Sequence, residues 1–366
     1  MSVYTWLVVL LVAAAIVFKG TKKHSRKFII VAFILLFAVM GLRDVKVTGN
    51  DASGSFGSYA LEYWKLSKVE WGEIYDAEGS IYNIGFTYLT KLMYGLTGGE
   101  YQWYVAAISF FVMFSYMRFI SKYSPSPFFS VMCFLGLLYY SLLFDVLKQA
   151  VAMSILLFAF DAIVEKRPLL FLVLIIVAAF FHFPALIFLP AYWIGRMKLG
   201  RGYIALLAGL LLLTYALRDS ILKLMLDSYG EGDIEASMEG IRFLRNKVII
   251  MIVFAVLAVI IRPPRANDTI YNALLIFTGV AIVFQTFCGY NNIFERLADY
   301  YFHTSIVLVP MIFEKIERPG IRIETRQYYQ LIDIATVGIC LIAAWRFLSY
   351  VNDSWMFNQF RFFWQG

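Results

Sequence analysis

The sequence predicts an all-α, polytopic membrane bundle that crosses a bilayer about ten times. Three observations carry this reading. Hydrophobic residues make up 61% of the 366-residue chain and charged residues only 16%, whereas soluble domains are nearer half apolar. The charges fall in short clusters that punctuate apolar runs at 2–18, 101–117, 202–217, 247–261 and 328–345. Those runs are solid rather than alternating, which excludes a transmembrane β-barrel. A run near ~20 residues spans a ~30 Å hydrocarbon core, and in lipid it satisfies its own backbone only as a helix. No soluble domain, internal repeat or low-complexity segment interrupts the profile, so residues 1–366 read as a single transmembrane domain.

The elements follow in order from the charge pattern. Segment 5–18 has no basic residue before it and a basic run after it (Lys19, Lys22, Lys23, Arg26, Lys27). It reads as a retained anchor with its N-terminus outside, not a cleaved signal. Span 28–42 leads out to a long loop, 43–80, with seven acids and four bases. Segment 81–97 is too polar for a span and reads as an interfacial or re-entrant helix, so 43–100 forms one external region. Span 101–120 returns to Arg118 and Lys122. The turn Ser124-Pro125-Ser126-Pro127 follows, then span 127–144 goes out and 149–164 comes back.

Stretch 169–194 is too long for one span and has basic residues at both ends: Lys166 and Arg167 before, Arg196, Lys198 and Arg201 after. Two short helices meeting at His182-Phe183-Pro184 satisfy both features, with a tip that either reaches the outer face or stops within the membrane. Span 202–217 leads to a second external loop, 218–246, whose stretch Asp227 to Glu239 holds five acids and no base. Spans 247–261, 269–288, 298–313 and 328–348 complete the chain, and an aromatic tail ends outside. Short basic loops on one side and two long polar loops on the other place the working chemistry at the outer surface.

Several function classes drop out. The net charge of +7 maps to the cytoplasmic loops, so it carries no argument for nucleic acid. Cys133, Cys288 and Cys340 all lie in apolar segments, against a disulfide framework. The chain has no Walker loop, dinucleotide fingerprint, HExxH or GxSxG. Only three histidines are present, one of them (His24) in a basic loop, against a multi-histidine metal site.

Four polar clusters remain. Arg43-Asp44 with Gly49-Asn50-Asp51 lies just beyond span 28–42; read plainly it is a solvated helix end and turn, and functionally a guanidinium and carboxylate at a headgroup site. Asp145, Lys148 and Gln149 precede span 149–164, where an i,i+3 ion pair is the plain alternative. His182 sits beside Pro184 in an apolar hairpin, where an ionisable group points to function. Glu295, Arg296 and Asp299 open span 298–313, where Arg296 and Asp299 pair in the plain reading. Tyr and Trp in 59–75 and 101–104 suit an interfacial belt.

In this order, the clusters resemble the EpsG-type, Wzy-like polysaccharide polymerases of bacteria. The resemblance covers most of the chain. It is carried by Gly41-Leu42-Arg43, Gly49-Asn50-Asp51 and Tyr59, then Leu147 to Ala152, Ala178 to Ile187, and Arg296-Leu297-Ala298-Asp299-Tyr300-Tyr301. It implies a GT-C-like fold and an enzyme that joins polyprenyl-diphosphate-linked repeat units at the outer face of the bacterial inner membrane. No cofactor is implied. The implied partners are the lipid-linked glycan, the bilayer, and a chain-length regulator and flippase of the same pathway.

For the site, the resemblance implies Arg43, Lys148 and Arg296 on the diphosphate and Asp51 or His182 as base. Asp44, Gln149 and Tyr300 join the substrate contacts. Lys148 departs from the family's usual arginine, and a lysine cannot grip a phosphate bidentately. Two rivals act on the same glycans. A membrane acyltransferase needs a donor pocket that the short basic loops do not offer. A flippase or transporter is typically built from internal repeats around a midplane site, and no such repeat is present.

Overall fold

The structure, a computed structural model, describes residues 2–23, 25–48, 59–74, 83–198, 241–260, 269–286, 293–314 and 325–365, with 209, 212 and 216. Among the described residues it contains sixteen α-helices and no strand beyond one isolated bridge between Arg43 and Phe362. Most of span 202–217 and of the second long loop lies outside the described residues, as does Asp51.

Helix α1 (Val3–Val17) is started by Ser2, whose hydroxyl accepts from the Thr5 N–H. It packs on α2 (Arg26–Gly41). Helix α3 (Tyr59–Ser67) lies within the first polar region, and α4 (Ile84–Leu96) follows it. Helix α4 buries Phe86, Thr87 and Thr90 on one side and exposes Tyr88, Leu92 and Leu96 on the other. Lys91 caps the end of α3 through the carbonyls of Leu66 and Ser67 at 3.0 and 3.3 Å and of Val69. The Tyr63 ring packs against Tyr94, Tyr101 and Tyr104. This first polar region is thus anchored to the bundle.

Helix α5 (Tyr101–Tyr123) packs between α2 and α8 (Leu147–Val164). The expected single span over 127–144 is instead two helices, α6 (Pro127–Gly136) and α7 (Tyr139–Asp145), bent by 55°. Leu138 takes a left-handed backbone (φ 65) at the bend, a conformation that costs a non-glycine residue about 1–2 kcal/mol. Beside it, Gly136 lies so close to Ala343 that a Cβ has no room. The kink therefore lets α6 reach α15 (Thr325–Asp353).

Helix α9 (Pro168–Phe181) starts with proline at its first position, where a missing N–H is harmless. It breaks at His182, as the sequence predicts, but the returning arm is a 3-10 turn (Phe183–Phe188) and the short α10 (Ala191–Ile194). Helices α11 (Ile241–Ile260) and α12 (Thr269–Gln285) pack together, and α12 packs on α13 (Ile293–Phe302). The expected span 298–313 is split at His303-Thr304, so α13 and α14 (Ser305–Ile312) are separate rods. A short α16 (Trp355–Asn358) ends the chain's helices.

Among the described residues, three helices are long and apolar enough to cross a membrane (α5, α8 and α15), and the bent α6–α7 pair makes four. Val3–Val17, Pro168–Phe181, Phe183–Ile194, Lys247–Ile260 and Thr269–Gln285 are apolar but shorter. The chain is a multi-pass helical membrane protein. The ends of α5 and α8 on the basic side are tied by Asp161, which receives Arg118 and Tyr123 at 2.5 Å and Lys122 at 3.0 Å.

Candidate functional site

Helix α8 opens with a cation in its first turn, where the helix dipole is unfavourable to positive charge. The structure offsets this from a different element. Lys148 Nζ lies 2.9 Å from Glu62 of α3, and 5.9 and 5.4 Å from the Tyr59 and Phe86 ring centres. Lys148 thus reaches across to α3, which the i,i+3 reading with Asp145 did not anticipate. Next to it, Gln149 is buried and donates to the Arg296 carbonyl at 3.2 Å.

That contact joins α8 to α13, whose sequence Glu295-Arg296-Leu297-Ala298-Asp299-Tyr300 places two pairs at i,i+4. Arg296 and Tyr300 form one strip. The Arg296 side chain is exposed, and the buried Tyr300 hydroxyl sits 2.5 Å from His182 Nδ1 at the hairpin tip. The tip is held from three sides. Its Phe183 N–H donates to Asn83 Oδ1 at 3.2 Å, and the Tyr301 hydroxyl donates to the Ile187 carbonyl at 2.7 Å. Gly85 of α4 abuts Phe180, where an added Cβ would meet the Phe180 carbonyl oxygen at 3.0 Å. Lys148 and Arg296 both lie within electrostatic reach of His182. Five residues singled out in the sequence, Lys148, Gln149, His182, Arg296 and Tyr300, are therefore drawn together by α8, the hairpin and α13.

Glu295 and Asp299 form the other strip of α13. Sequence reasoning paired Asp299 with Arg296; the structure pairs it with Lys247 of α11 at 2.6 Å, and the same ammonium reaches Glu295 at 2.9 Å. The Tyr139 hydroxyl of α7 also donates to Asp299, at 3.0 Å. Lys247 and Asp299 are both buried. This network escaped the sequence reading, although a lysine opening the apolar run 247–261 opposite two acids at i,i+4 was a usable signal.

The Arg43 cluster lies at the end of α2, against Phe144 of α7. Its guanidinium is fully buried and donates to the carbonyls of Met40 (2.5 Å), Thr48 (3.2 Å) and Phe144 (3.3 Å), lying 4.7 Å over the Phe144 ring. Asp44 accepts from Arg361 Nε at 2.7 Å, and its N–H donates to the Arg361 carbonyl at 2.8 Å. Asp44 thereby pins the C-terminal segment to the end of α2, whereas the Arg43 guanidinium ties that end to Thr48 and to α7. Among the described residues no three His, Cys, Asp or Glu side chains gather as a metal site needs.

Neither the curated proteins nor the solved structures include a match to this chain. A family-level comparison does find one: the sequence fits the EpsG family over residues 56–358, a range that contains α3, Lys148, the hairpin and α13. The chain belongs to the EpsG family.

Proposed function

We propose that the protein is a glycosyltransferase that polymerises polyprenyl-diphosphate-linked oligosaccharide repeat units into exopolysaccharide, capsule or O-antigen. In this reading it works at the outer face of a bacterial inner membrane, on a GT-C-like bundle of about ten spans with the hairpin tip at the outer side. The observation that carries it is the convergence of two cations, an imidazole and a phenol from separate elements in a chain of this family.

The chemistry asks little else. In the donor, the bond between the sugar C1 and the diphosphate oxygen breaks, and its electron pair leaves with polyprenyl diphosphate. A new bond forms from an acceptor hydroxyl oxygen to C1, and the hydroxyl proton passes to a base. Diphosphate is already a good leaving group, so its departure needs cations more than a proton. Lys148 and the exposed Arg296 supply them in a partly dry site. His182 Nε2 can take the proton when Nδ1–H is the donor to Tyr300; Asp51 is the second candidate base, and it lies outside the described residues.

The test is direct. Purified protein given polyprenyl-diphosphate repeat units, with no nucleotide, acyl donor or ion gradient, should build a ladder of longer glycans and release polyprenyl diphosphate. Acyl transfer or translocation in its place overturns the reading.

A further inference from the structure

Polymerisation as proposed requires two lipid-anchored glycans at once, a donor and an acceptor, and the cation site by His182 accounts for one. Between the α6–α7 kink, α11 and α15 the structure has a groove of about 610 Å³. Leu138 at the α6–α7 kink, Ile250 of α11 and the Trp345 side of α15 form apolar walls. Along α15 the lining then runs Arg346, Ser349, Tyr350, Asp353 and, just beyond the helix, Ser354.

These positions fall on one face of the helix, over roughly 12 Å of rise from Trp345 to Asp353. The order is apolar, then one cation, then two hydroxyls and a carboxylate. That is the order of chain, phosphate and sugar in a lipid-linked glycan. The groove also backs onto the charged strip of α13, since Tyr350 lies within electrostatic reach of Glu295 and Arg346 within reach of Tyr139.

We propose that this groove holds the acceptor, a second polyprenyl-diphosphate-linked glycan, with its sugars at Ser349, Tyr350 and Asp353 and its lipid past Trp345. The polarity separates it from the donor site. A carboxylate at the sugar end repels a departing diphosphate and accepts from sugar hydroxyls, and Ser349 already donates to Asp353 at 3.1 Å. Exposed Trp345 offers a flat face to a sugar ring or prenyl chain.

This assignment rests on the polymerase reading, and the test separates the two. The probe is a repeat unit joined to polyprenyl diphosphate through a C-glycosidic bond, which keeps the acceptor hydroxyl but cannot leave. It is measured with the full-length protein in nanodiscs. Wild type should bind it saturably. Ser349→Trp, which fills the groove, should weaken binding by about tenfold or more, and Asp353→Asn at the exposed mouth by about threefold to tenfold. Lys148→Ala, which weakens the hold on the probe's diphosphate at the donor site, should keep a saturable component of binding that Ser349→Trp weakens in turn. Equal binding by wild type and Asp353→Asn, with Ser349→Trp equal or unfolded, overturns the groove, as does the loss of all saturable binding in Lys148→Ala. Saturable, groove-dependent binding in a protein that forms no polymer keeps the groove and overturns the polymerase reading.

Discussion

Lys247 offers the sharpest test of the architecture behind the site. It is 8% exposed and Asp299 1% exposed, at 2.6 Å, with Glu295 at 2.9 Å from the same ammonium. Lys247→Met keeps most of the stem and removes the charge, leaving two carboxylates one turn apart. Breaking a buried pair by deleting one partner costs about 3–5 kcal/mol, because the other charge stays buried. Most of that cost falls on Asp299, since the Glu295 side chain is 24% exposed and partly solvated. The folded-to-unfolded ratio should fall by roughly 10²–10³·⁵.

Replacing all three charges, Lys247→Met with Glu295→Gln and Asp299→Asn, should recover most of the loss, because neutral groups of similar volume carry no such penalty. Asp299→Asn also keeps an acceptor for the Tyr139 hydroxyl. Reversible unfolding in mixed micelles under a denaturing detergent gradient reads both variants. A single variant within about 1 kcal/mol of wild type, or a triple variant no more stable than the single, refutes the reasoning.

Four further outcomes follow from the same geometry. Lys148→Ala and Arg296→Ala should each lower polymer formation by about 10²-fold or more in a glycan-ladder assay, with membrane insertion unchanged. Tyr300→Phe removes the His182 partner and should cost about threefold to tenfold in rate, while adding little on top of His182→Ala; additive losses in the double variant would place the two in separate roles. Arg43→Lys cannot serve three carbonyls at once and should lower stability by about 1–3 kcal/mol with the rate of the folded fraction kept; a rate loss without a stability loss assigns it to substrate instead. In intact cells lacking the native cysteines, an impermeant maleimide should label Ser55→Cys and Ser237→Cys but spare Ser25→Cys, and the reverse pattern inverts the topology.

Hydropathy and charge spacing were sufficient for the helical membrane class, since a long apolar run has one solution in lipid and basic loops report orientation. They also placed the hairpin break, because Pro184 cannot donate within a helix and His182 is costly at membrane depth. The same local signals were blind to the 55° kink at Leu138 and to the helix break at His303, each within a continuous apolar run. The kink goes with a tertiary contact: beside it Gly136 meets Ala343, a residue about two hundred positions away.

Charge pairing shows the same division. Local spacing linked Lys148 with Asp145 and Arg296 with Asp299, the neighbours a helix supplies. The folded chain instead gives Lys148 to Glu62 and Asp299 to Lys247. In a low-dielectric interior a buried charge gains most from the partner that shares its burial, whatever the sequence separation, and only the packed bundle decides which partner that is. Residue types, spans and candidate clusters were therefore legible along the chain, whereas the division of α13 into a strip facing His182 and a strip facing Lys247 belongs to the tertiary structure.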